Sequence, residues 1–166
     1  MRTGVLRSPR AWLPPVLIAA AAAIVTAILG ATIAELGPWY RSLRQPPWSP
    51  PDATFPIAWT LIYTLTAIAA VTAWRRAPAG HASQRLIGFF ALNGFLNLLW
   101  SFLFFRLHRP DWAVAEVVLL ALSVAMIIAE TARWSRTAPW LLAPYLVWVG
   151  WAAALNLAVV RLNGPF

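Results

Sequence analysis

The sequence predicts an all-α protein, an integral membrane bundle of five transmembrane helices. Of its 166 residues, 61% are hydrophobic and only 11% are charged, and the mean hydropathy is +0.68. A soluble domain carries about 25% charged residues. Five apolar runs are long enough to cross about 30 Å of hydrocarbon, which takes about 20 residues. None shows the polar alternation of membrane strands, and a backbone in lipid must satisfy its own hydrogen bonds, so each run is predicted to be a helix.

The predicted spans follow one another inside a single domain of residues 1–166. They cover about residues 14–34, 55–74, 86–105, 112–132 and 139–160. Only the span at 112–132 contains charged side chains, Glu116 and Glu130. Both lie within about a turn of a predicted end, so both carboxylates are expected to reach the membrane interface.

The first span has two interpretations. The basic residues Arg2, Arg7 and Arg10 before an apolar run also fit a cleaved signal peptide. The charge-free stretch is longer than the apolar core of a typical signal peptide, which favours a retained helix instead. Small residues recur every fourth position at Ala19, Ala23, Ala27 and Ala31. Such a stripe lets helices approach closely, so the sequence predicts a retained first span and a homodimer.

The loop of residues 35–54 combines proline with large aromatic rings. It contains Trp39-Tyr40, then Pro46-Pro47-Trp48, then Pro50-Pro51. A flexible tether would favour Gly and Ser instead. Because proline restricts the backbone and the rings supply apolar surface, the loop is predicted to hold a fixed shape over a flat, apolar partner.

Three spans carry aromatic or amide side chains at helical spacing, so that each set lies on one helix face. The sets are Trp59 with Tyr63, Asn93 with Asn97 and Trp100, and Tyr145 with Trp148, Ala152 and Asn156. An unpaired amide in hydrocarbon is costly, so these faces should point into the bundle. The amides either join helices by hydrogen bonds or line a cavity, and the spacing alone leaves both open.

Composition excludes several classes of site. The chain has no cysteine, and His81 and His108 are isolated in sequence, so no metal site and no cofactor are predicted. No charged side chain lies in the middle of a predicted span, which argues against an ion-coupled transporter. The net charge of +8 comes entirely from arginines between apolar runs. Lipid headgroups explain these arginines, so no nucleic acid partner is predicted.

The arginines also predict an orientation. Five lie on the side of the first loop, the third loop and the C-terminus. The eight others lie on the side of the N-terminus and of the second and fourth loops: Arg2, Arg7, Arg10, Arg75, Arg76, Arg85, Arg133 and Arg136. The positive-inside rule therefore predicts a cytoplasmic N-terminus and an outward-facing loop 35–54.

These motifs resemble the translocator protein family, whose members are also called tryptophan-rich sensory proteins or peripheral-type benzodiazepine receptors. The resemblance covers about residues 15 to 163. It is carried by Trp39-Tyr40, the Pro46-x-Trp48-x-Pro50-Pro51 loop, Phe55-Pro56 with Trp59 and Tyr63, Asn93 with Asn97 and Trp100, Phe104-Phe105, Pro144-Tyr145 with Trp148, and Leu155-Asn156.

The resemblance implies a five-helix bundle, often dimeric, whose first loop covers a pocket between the helices. Family members bind porphyrins, haem-related tetrapyrroles, sterols and isoquinoline-type drugs, and some bacterial members degrade porphyrin in light. By position, the implied ligand-binding residues are Trp39, Trp48, Trp59, Tyr63, Asn93, Asn97, Trp100, Tyr145, Trp148 and Ala152.

Three functions follow as alternatives from this resemblance. The first is a membrane protein that binds porphyrin or a related tetrapyrrole as a carrier, scavenger or sensor. The second is a light-dependent porphyrin-degrading enzyme that uses Trp59, Trp148 and Trp39 as redox-active rings. The third is a structural scaffold whose aromatic residues only pack.

The chain departs from the family pattern at four places. Gln45 stands where a Lys usually precedes the loop proline, and residues 52–54 replace the aromatic that usually follows the double proline. Phe102 replaces a Pro of the third span, and Leu157 replaces the Tyr of a sterol-recognition pattern. That pattern is weak even when it is intact, so a specific sterol partner is not expected.

Overall fold

The computed structural model describes residues 13–166, so Arg2, Arg7 and Arg10 lie outside the described residues. The helices are α1 Leu13–Ile33, α2 Pro38–Ser42, α3 Thr54–Arg76, α4 His81–Ser101, a π-helical turn Phe102–Arg106, α5 Pro110–Ala132 and α6 Ala138–Asn163. Five of them are long and apolar enough to cross a membrane: α1, α3, α4 with its π-helical turn, α5 and α6. The predicted all-α class and the five spans are therefore confirmed.

The helix bounds extend beyond the apolar runs because hydropathy marks only the lipid-matched part of a helix. The largest difference is in α4, which begins at His81, whereas the apolar run suggested about residue 86. Its first turns contain the polar residues Ser83, Gln84 and Arg85. Gly80 precedes this helix with φ of 96°, a conformation that glycine adopts readily.

The long helices form a ring. α1 packs against α3 and α4, α3 packs against α6, α6 against α5, and α5 against α4. The order around the ring is therefore α1, α3, α6, α5, α4. α1 has no buried residue. The other four helices enclose the space in which the predicted aromatic and amide faces meet.

Small side chains allow the helices to approach closely at both ends of the bundle. Ala69, Ala73 and Ala138 are fully buried near the second and fourth loops, and Ala113 is fully buried near the first loop. In lipid the hydrophobic effect does not drive helices together, so close packing of this kind supplies much of the attraction.

The two carboxylates of α5 are both buried by neighbouring helices. Glu130 is 5% exposed and accepts hydrogen bonds from Arg85 Nε at 3.0 Å and Arg85 Nη2 at 2.7 Å. Glu116 is 6% exposed, and within residues 13–166 neither of its oxygens has a hydrogen-bond partner. The burial was not predicted, because hydropathy locates a residue along a helix but not the face on which it lies; that the carboxylates reach the membrane interface stays a prediction.

The first loop is fastened to the end of α6. The Arg44 amide donates to Asn163 Oδ1 at 2.7 Å, and Asn163 Nδ2 donates to the Arg44 carbonyl at 3.0 Å. The Asn163 side chain thus pairs with the loop backbone as a second strand would. Leu43 and Pro46, on either side of this contact, are buried. The loop therefore closes over one end of the bundle.

Candidate functional site

One wall of the space beneath the loop consists of rings from α3 and α6. The Trp59 ring stacks on Tyr63, with ring centroids 5.3 Å apart. It also meets Tyr145 and Trp148 edge-on, at 6.1 and 6.2 Å between centroids. Phe55 lies one turn before Trp59 and meets Trp148 at 5.9 Å. Ring pairs of this kind contribute about 0.5–1.5 kcal/mol each beyond the area they bury, so the wall is mutually stabilised.

The first loop joins this wall through Trp151. The Trp48 ring of the loop meets Trp151 at 6.1 Å between centroids, and Trp151 lies 5.0 Å from Trp148. Trp48 remains 48% exposed. A continuous series of rings therefore runs from the loop surface to Tyr63 inside the bundle.

A second wall is formed by α2, the end of α4 and the π-helical turn. Trp100 stacks on Phe104 at 5.3 Å between centroids, and Trp39 meets Phe104 at 5.9 Å. The π-helical turn shifts the helix register after Ser101 and leaves Phe104 buried at 4% exposure. Such turns are frequent at functional sites. Trp39 also stacks on His108 at 4.1 Å.

A small cavity of about 40 Å³ lies between the two walls. Its lining includes Gln45 from the loop, Phe55, Trp100, Ala152 and Asn156. A water molecule fits this volume, but sites for drug-sized ligands occupy about 300–1,000 Å³. The loop and the rings therefore fill most of the space between the walls.

Asn93 and Asn97 link α4 to three neighbouring helices. The Tyr63 hydroxyl donates to Asn97 Oδ1 at 2.7 Å, and Asn97 Nδ2 makes a long hydrogen bond of 3.4 Å to the Tyr145 hydroxyl. Asn93 Nδ2 donates to Ser123 Oγ at 2.8 Å. These contacts favour the interpretation that the amides join helices, while their role in ligand binding stays a prediction.

Asn156 holds the second wall in place. Its Oδ1 accepts from Trp100 Nε1 at 3.1 Å, and its Nδ2 donates to the Pro110 carbonyl at 2.9 Å. Both ends of this buried amide are therefore paired. The Trp100 ring is fixed in orientation as a result.

Two other polar groups at the site have no partner. The indole Nε1 of Trp148 is buried without a hydrogen bond among residues 13–166, and so are Oε1 and Nε2 of Gln45. Most buried polar atoms in proteins are paired, so these two side chains call for an explanation. Nearby, burial and the Asp52 carboxylate raise the pKa of the Tyr40 hydroxyl, which therefore stays neutral.

The predicted site residues divide between the two walls. Trp48, Trp59, Tyr63, Tyr145 and Trp148 belong to the first set of rings and its loop contact. Trp39 and Trp100 belong to the second wall, and Ala152 lines the cavity between them. Asn97 lies deeper, bonded to the first wall, and Asn93 lies one turn deeper still.

Sequence reasoning left three rings out of the site. Phe55 precedes Trp59 by four residues, and Trp151 follows Trp148 by three, so helical spacing could have placed both on the inward faces. Phe104 extends the Asn93–Trp100 face in the same way, although the π-helical turn that orients it has no clear signal in the sequence.

A larger groove of about 440 Å³ lies outside the ring, between α1 and α3. It is lined by the alanine stripe of α1, including Ala19, Ala23 and Ala27, and by Thr60 and Tyr63 of α3. Tyr63 therefore separates this groove from the amide network inside the bundle. Among residues 13–166, no group of three or more potential metal ligands is present.

Comparison with known proteins identifies the family of the chain. The model of the TspO/MBR family matches residues 15–162 of the chain. The chain belongs to the TspO/MBR family. The resemblance read from the aromatic and proline motifs is thus confirmed, and this TspO/MBR family member is a multi-pass integral membrane protein.

Curated relatives include proteins from bacteria and mammals. Protein CrtK of Rhodobacter capsulatus is 36% identical over 144 residues, which cover 84% of this chain and 89% of the relative. Tryptophan-rich protein TspO of Chlorobaculum tepidum is 36% identical over 129 residues, covering 75% and 79%. Translocator protein of Sus scrofa is 31% identical over 130 residues, covering 75% of each chain.

Proposed function

We propose that this protein binds a porphyrin or a related tetrapyrrole between the two aromatic walls and acts as its carrier, scavenger or sensor. The observation that carries this proposal is the pair of ring walls, together with two buried, unpartnered polar side chains: Trp148 in the first wall and Gln45 at the cavity. A flat conjugated ring stacks well on indole and phenyl faces. A few polar atoms in an otherwise apolar site are typical of groups that orient a ligand.

The ligand would enter by displacing the first loop. A volume of about 40 Å³ holds no tetrapyrrole, so the loop must lift away from α3 and α6. The two hydrogen bonds between Arg44 and Asn163 would break in this step. A typical hydrogen bond contributes only about 0.5–1.5 kcal/mol net. The apolar surface that the ligand buries can therefore offset the loss of these two bonds.

The ligand would contact both walls and rest on the amide network. In the opened form, the stacking surfaces are Trp39, Trp48, Trp59, Trp100, Tyr145 and Trp148, with Ala152 leaving room beside them. Tyr63, Asn93 and Asn97 form the floor, where the hydrogen bonds of Asn97 hold α3, α4 and α6 at a fixed spacing. The name of the Sus scrofa relative, translocator protein, is consistent with a carrier.

The assembly and orientation belong to the same proposal. A homodimer would form through α1, whose residues are all at least partly exposed. The N-terminus would be cytoplasmic, with loop 35–54 on the outer side, because more of the arginines flank the opposite loops. Cysteine accessibility at a position such as Ser49 in intact cells reports the side of the loop directly.

A titration in the dark followed by illumination tests the proposed function. Saturable quenching of tryptophan fluorescence by protoporphyrin IX, without loss of pigment, is the expected result for the purified protein in lipid nanodiscs. Light-dependent conversion of the pigment that disappears in Trp148→Phe would instead support the degrading enzyme. Absence of any saturable quenching would contradict porphyrin binding and favour the alternative of a structural scaffold.

A further inference from the structure

Gln45 is a polar side chain at the cavity whose position the fold does not explain. Its Oε1 and Nε2 are both buried, and neither has a hydrogen-bond partner within the described chain. Burying an unpaired amide is unfavourable, because the group loses its bonds to water and gains none. A leucine or methionine would fill the same volume without that cost. The amide therefore needs a partner that the closed protein does not supply.

The surrounding loop fixes where this amide lies. Arg44, the preceding residue, is clamped through its backbone to Asn163, and Pro46, the following residue, is buried. Gln45 is held between these two anchors and lines the cavity beneath the loop. Gln45 thus lies at the cavity, and its amide is shielded from solvent.

The other side-chain amide at this cavity is already committed. Asn156 is bonded at both ends, to Trp100 and to the Pro110 carbonyl. Gln45 therefore offers an unpaired donor and an unpaired acceptor side by side. No ionised side chain lines the cavity among residues 13–166. Arg41 and Arg44 of the same loop are exposed.

This arrangement matches a neutral ligand edge better than a charged one. A carboxamide or a lactam carries an N–H donor beside a carbonyl acceptor, and such an edge forms two hydrogen bonds with a glutamine amide. An ester supplies acceptors only. An ionised carboxylate also supplies acceptors only, and it would be buried without a cation and close to the Gln45 carbonyl oxygen.

We propose that Gln45 is a specificity-determining residue of the site beneath the loop and selects ligands with a carboxamide or lactam edge over those with an ionised carboxylate. This inference rests on the proposed binding of tetrapyrroles at that site. In this complex the carboxamide or lactam edge of the ligand is the hydrogen-bond partner of the Gln45 amide.

Three derivatives of one ring system provide the test: protoporphyrin IX, its dimethyl ester and its bis-carboxamide. Their dissociation constants are measured by tryptophan quenching in the dark on the full chain in nanodiscs. The variants are Gln45→Met, which keeps the length of the side chain but removes both polar atoms, and Gln45→Lys, which supplies a cation. Gln84→Met is the matched control, because Gln84 is exposed in α4 at the other end of the bundle.

The unaltered protein should bind the bis-carboxamide about 10-fold more tightly than the dimethyl ester, the difference expected for about one well-made hydrogen bond. Gln45→Met should reduce this ratio to about one while retaining binding of the ester, and Gln84→Met should leave it unchanged. Gln45→Lys should reverse the preference toward the diacid. Binding of the ester reports that each variant is folded.

Equal affinities of the unaltered protein for all three derivatives would overturn the role of Gln45 and leave tetrapyrrole binding intact. The same conclusion would follow if Gln45→Met kept the preference for the carboxamide. Absence of quenching by every derivative would overturn tetrapyrrole binding and the role of Gln45 together.

Discussion

At the scale of single residues, Trp148 combines three ring contacts with an unpaired polar atom. Its ring meets Phe55, Trp59 and Trp151, and its indole N–H is buried without a partner. Structural packing explains the ring contacts. The unpaired N–H has no partner in the described chain, and in the proposed complex it donates a hydrogen bond to the ligand.

Replacement of Trp148 by alanine is expected to weaken porphyrin binding by about 2–3 kcal/mol, or roughly 30- to 150-fold. The variant loses a large stacking surface and an edge-on ring contact. Dark titration of protoporphyrin IX measures the change. Trp140→Ala is the matched control, because Trp140 is 80% exposed on the same helix and should leave the affinity nearly unchanged. Equal losses in the two variants would contradict the site assignment.

Asn97 is expected to matter more for stability than for affinity. Asn97→Leu leaves the hydroxyls of Tyr63 and Tyr145 without the amide that joins them, which should cost about 1–3 kcal/mol of stability. Its effect on porphyrin affinity should be smaller, about 1 kcal/mol. The thermal unfolding midpoint in detergent and the dark titration measure the two effects.

A triple variant separates this network from simple packing. Adding Tyr63→Phe and Tyr145→Phe to Asn97→Leu removes the unpaired hydroxyls and should recover much of the lost stability, since removal of both partners costs less than removal of one. The contrary result is a triple variant that is less stable than Asn97→Leu by the summed losses of Tyr63→Phe and Tyr145→Phe. That result would show that unpaired hydroxyls do not cause the stability loss of Asn97→Leu.

At the scale of elements, the first loop decides whether the site is open. Its two hydrogen bonds to Asn163 keep the closed form, and the chain has no native cysteine to interfere with engineered ones. In the double variant Arg44→Cys/Asn163→Cys, a short cross-linker that reacts with both thiols through reducible disulfides should hold the loop against α6. The cross-linked protein should show no saturable quenching by porphyrin. Reduction of the cross-link should restore it.

The two single-cysteine variants treated with the same reagent are the controls. Arg44→Cys should bind porphyrin normally, and Asn163→Cys, which lacks both hydrogen bonds to the loop, should bind it at least as tightly. If the cross-linked protein binds porphyrin as fast and as tightly as the reduced protein, the ligand does not enter beneath the loop.

The sequence predicted the spans well because membrane thickness fixes their length and lipid excludes charge from their centres. The same reasoning did not predict which face of α5 is turned toward the bundle. Glu116 lies near a helix end, yet it is buried, because α5 turns that face toward the bundle. Helical spacing placed Trp59, Tyr63, Asn97 and Trp148 on inward faces, since amides and large rings disfavour lipid.

What could not be predicted depends on tertiary contacts. The path of the first loop is set by Asn163, which lies 119 residues away in the chain. The inward position of Phe104 follows from the π-helical turn. Both features depend on how the helices pack together. The residues around Trp48 and Trp100 in the sequence therefore do not predict them.

At the scale of the whole molecule, α1 is the helix with the least cover. Its alanine stripe lines the groove against α3, and none of its residues is buried. A second copy of the chain would supply the missing contacts, since small residues allow close helix approach. The groove also lies near Tyr63, so the assembly borders the amide network of the site.

Substitution of Ala23 and Ala27 by leucine is therefore expected to convert a homodimer into monomers. Mass measurement of the protein in mild detergent gives the oligomeric state. Because Ala23 and Ala27 also line the groove against α3 of the same chain, the thermal unfolding midpoint is measured alongside and should not fall with the loss of the dimer. Ala21→Leu with Ala22→Leu tests the exposed face of α1, outside the groove. A monomer before any substitution would refute the homodimer.

The structure of the porphyrin complex in nanodiscs tests the central proposal most directly. The predicted result is a tetrapyrrole stacked between the wall containing Trp148 and the wall containing Trp100, with the first loop lifted from Asn163. The groove between α1 and α3 is the alternative location, since its volume of about 440 Å³ needs no loop movement. A porphyrin bound in that groove or on the lipid-facing surface, with the loop still closed, would contradict the proposed site.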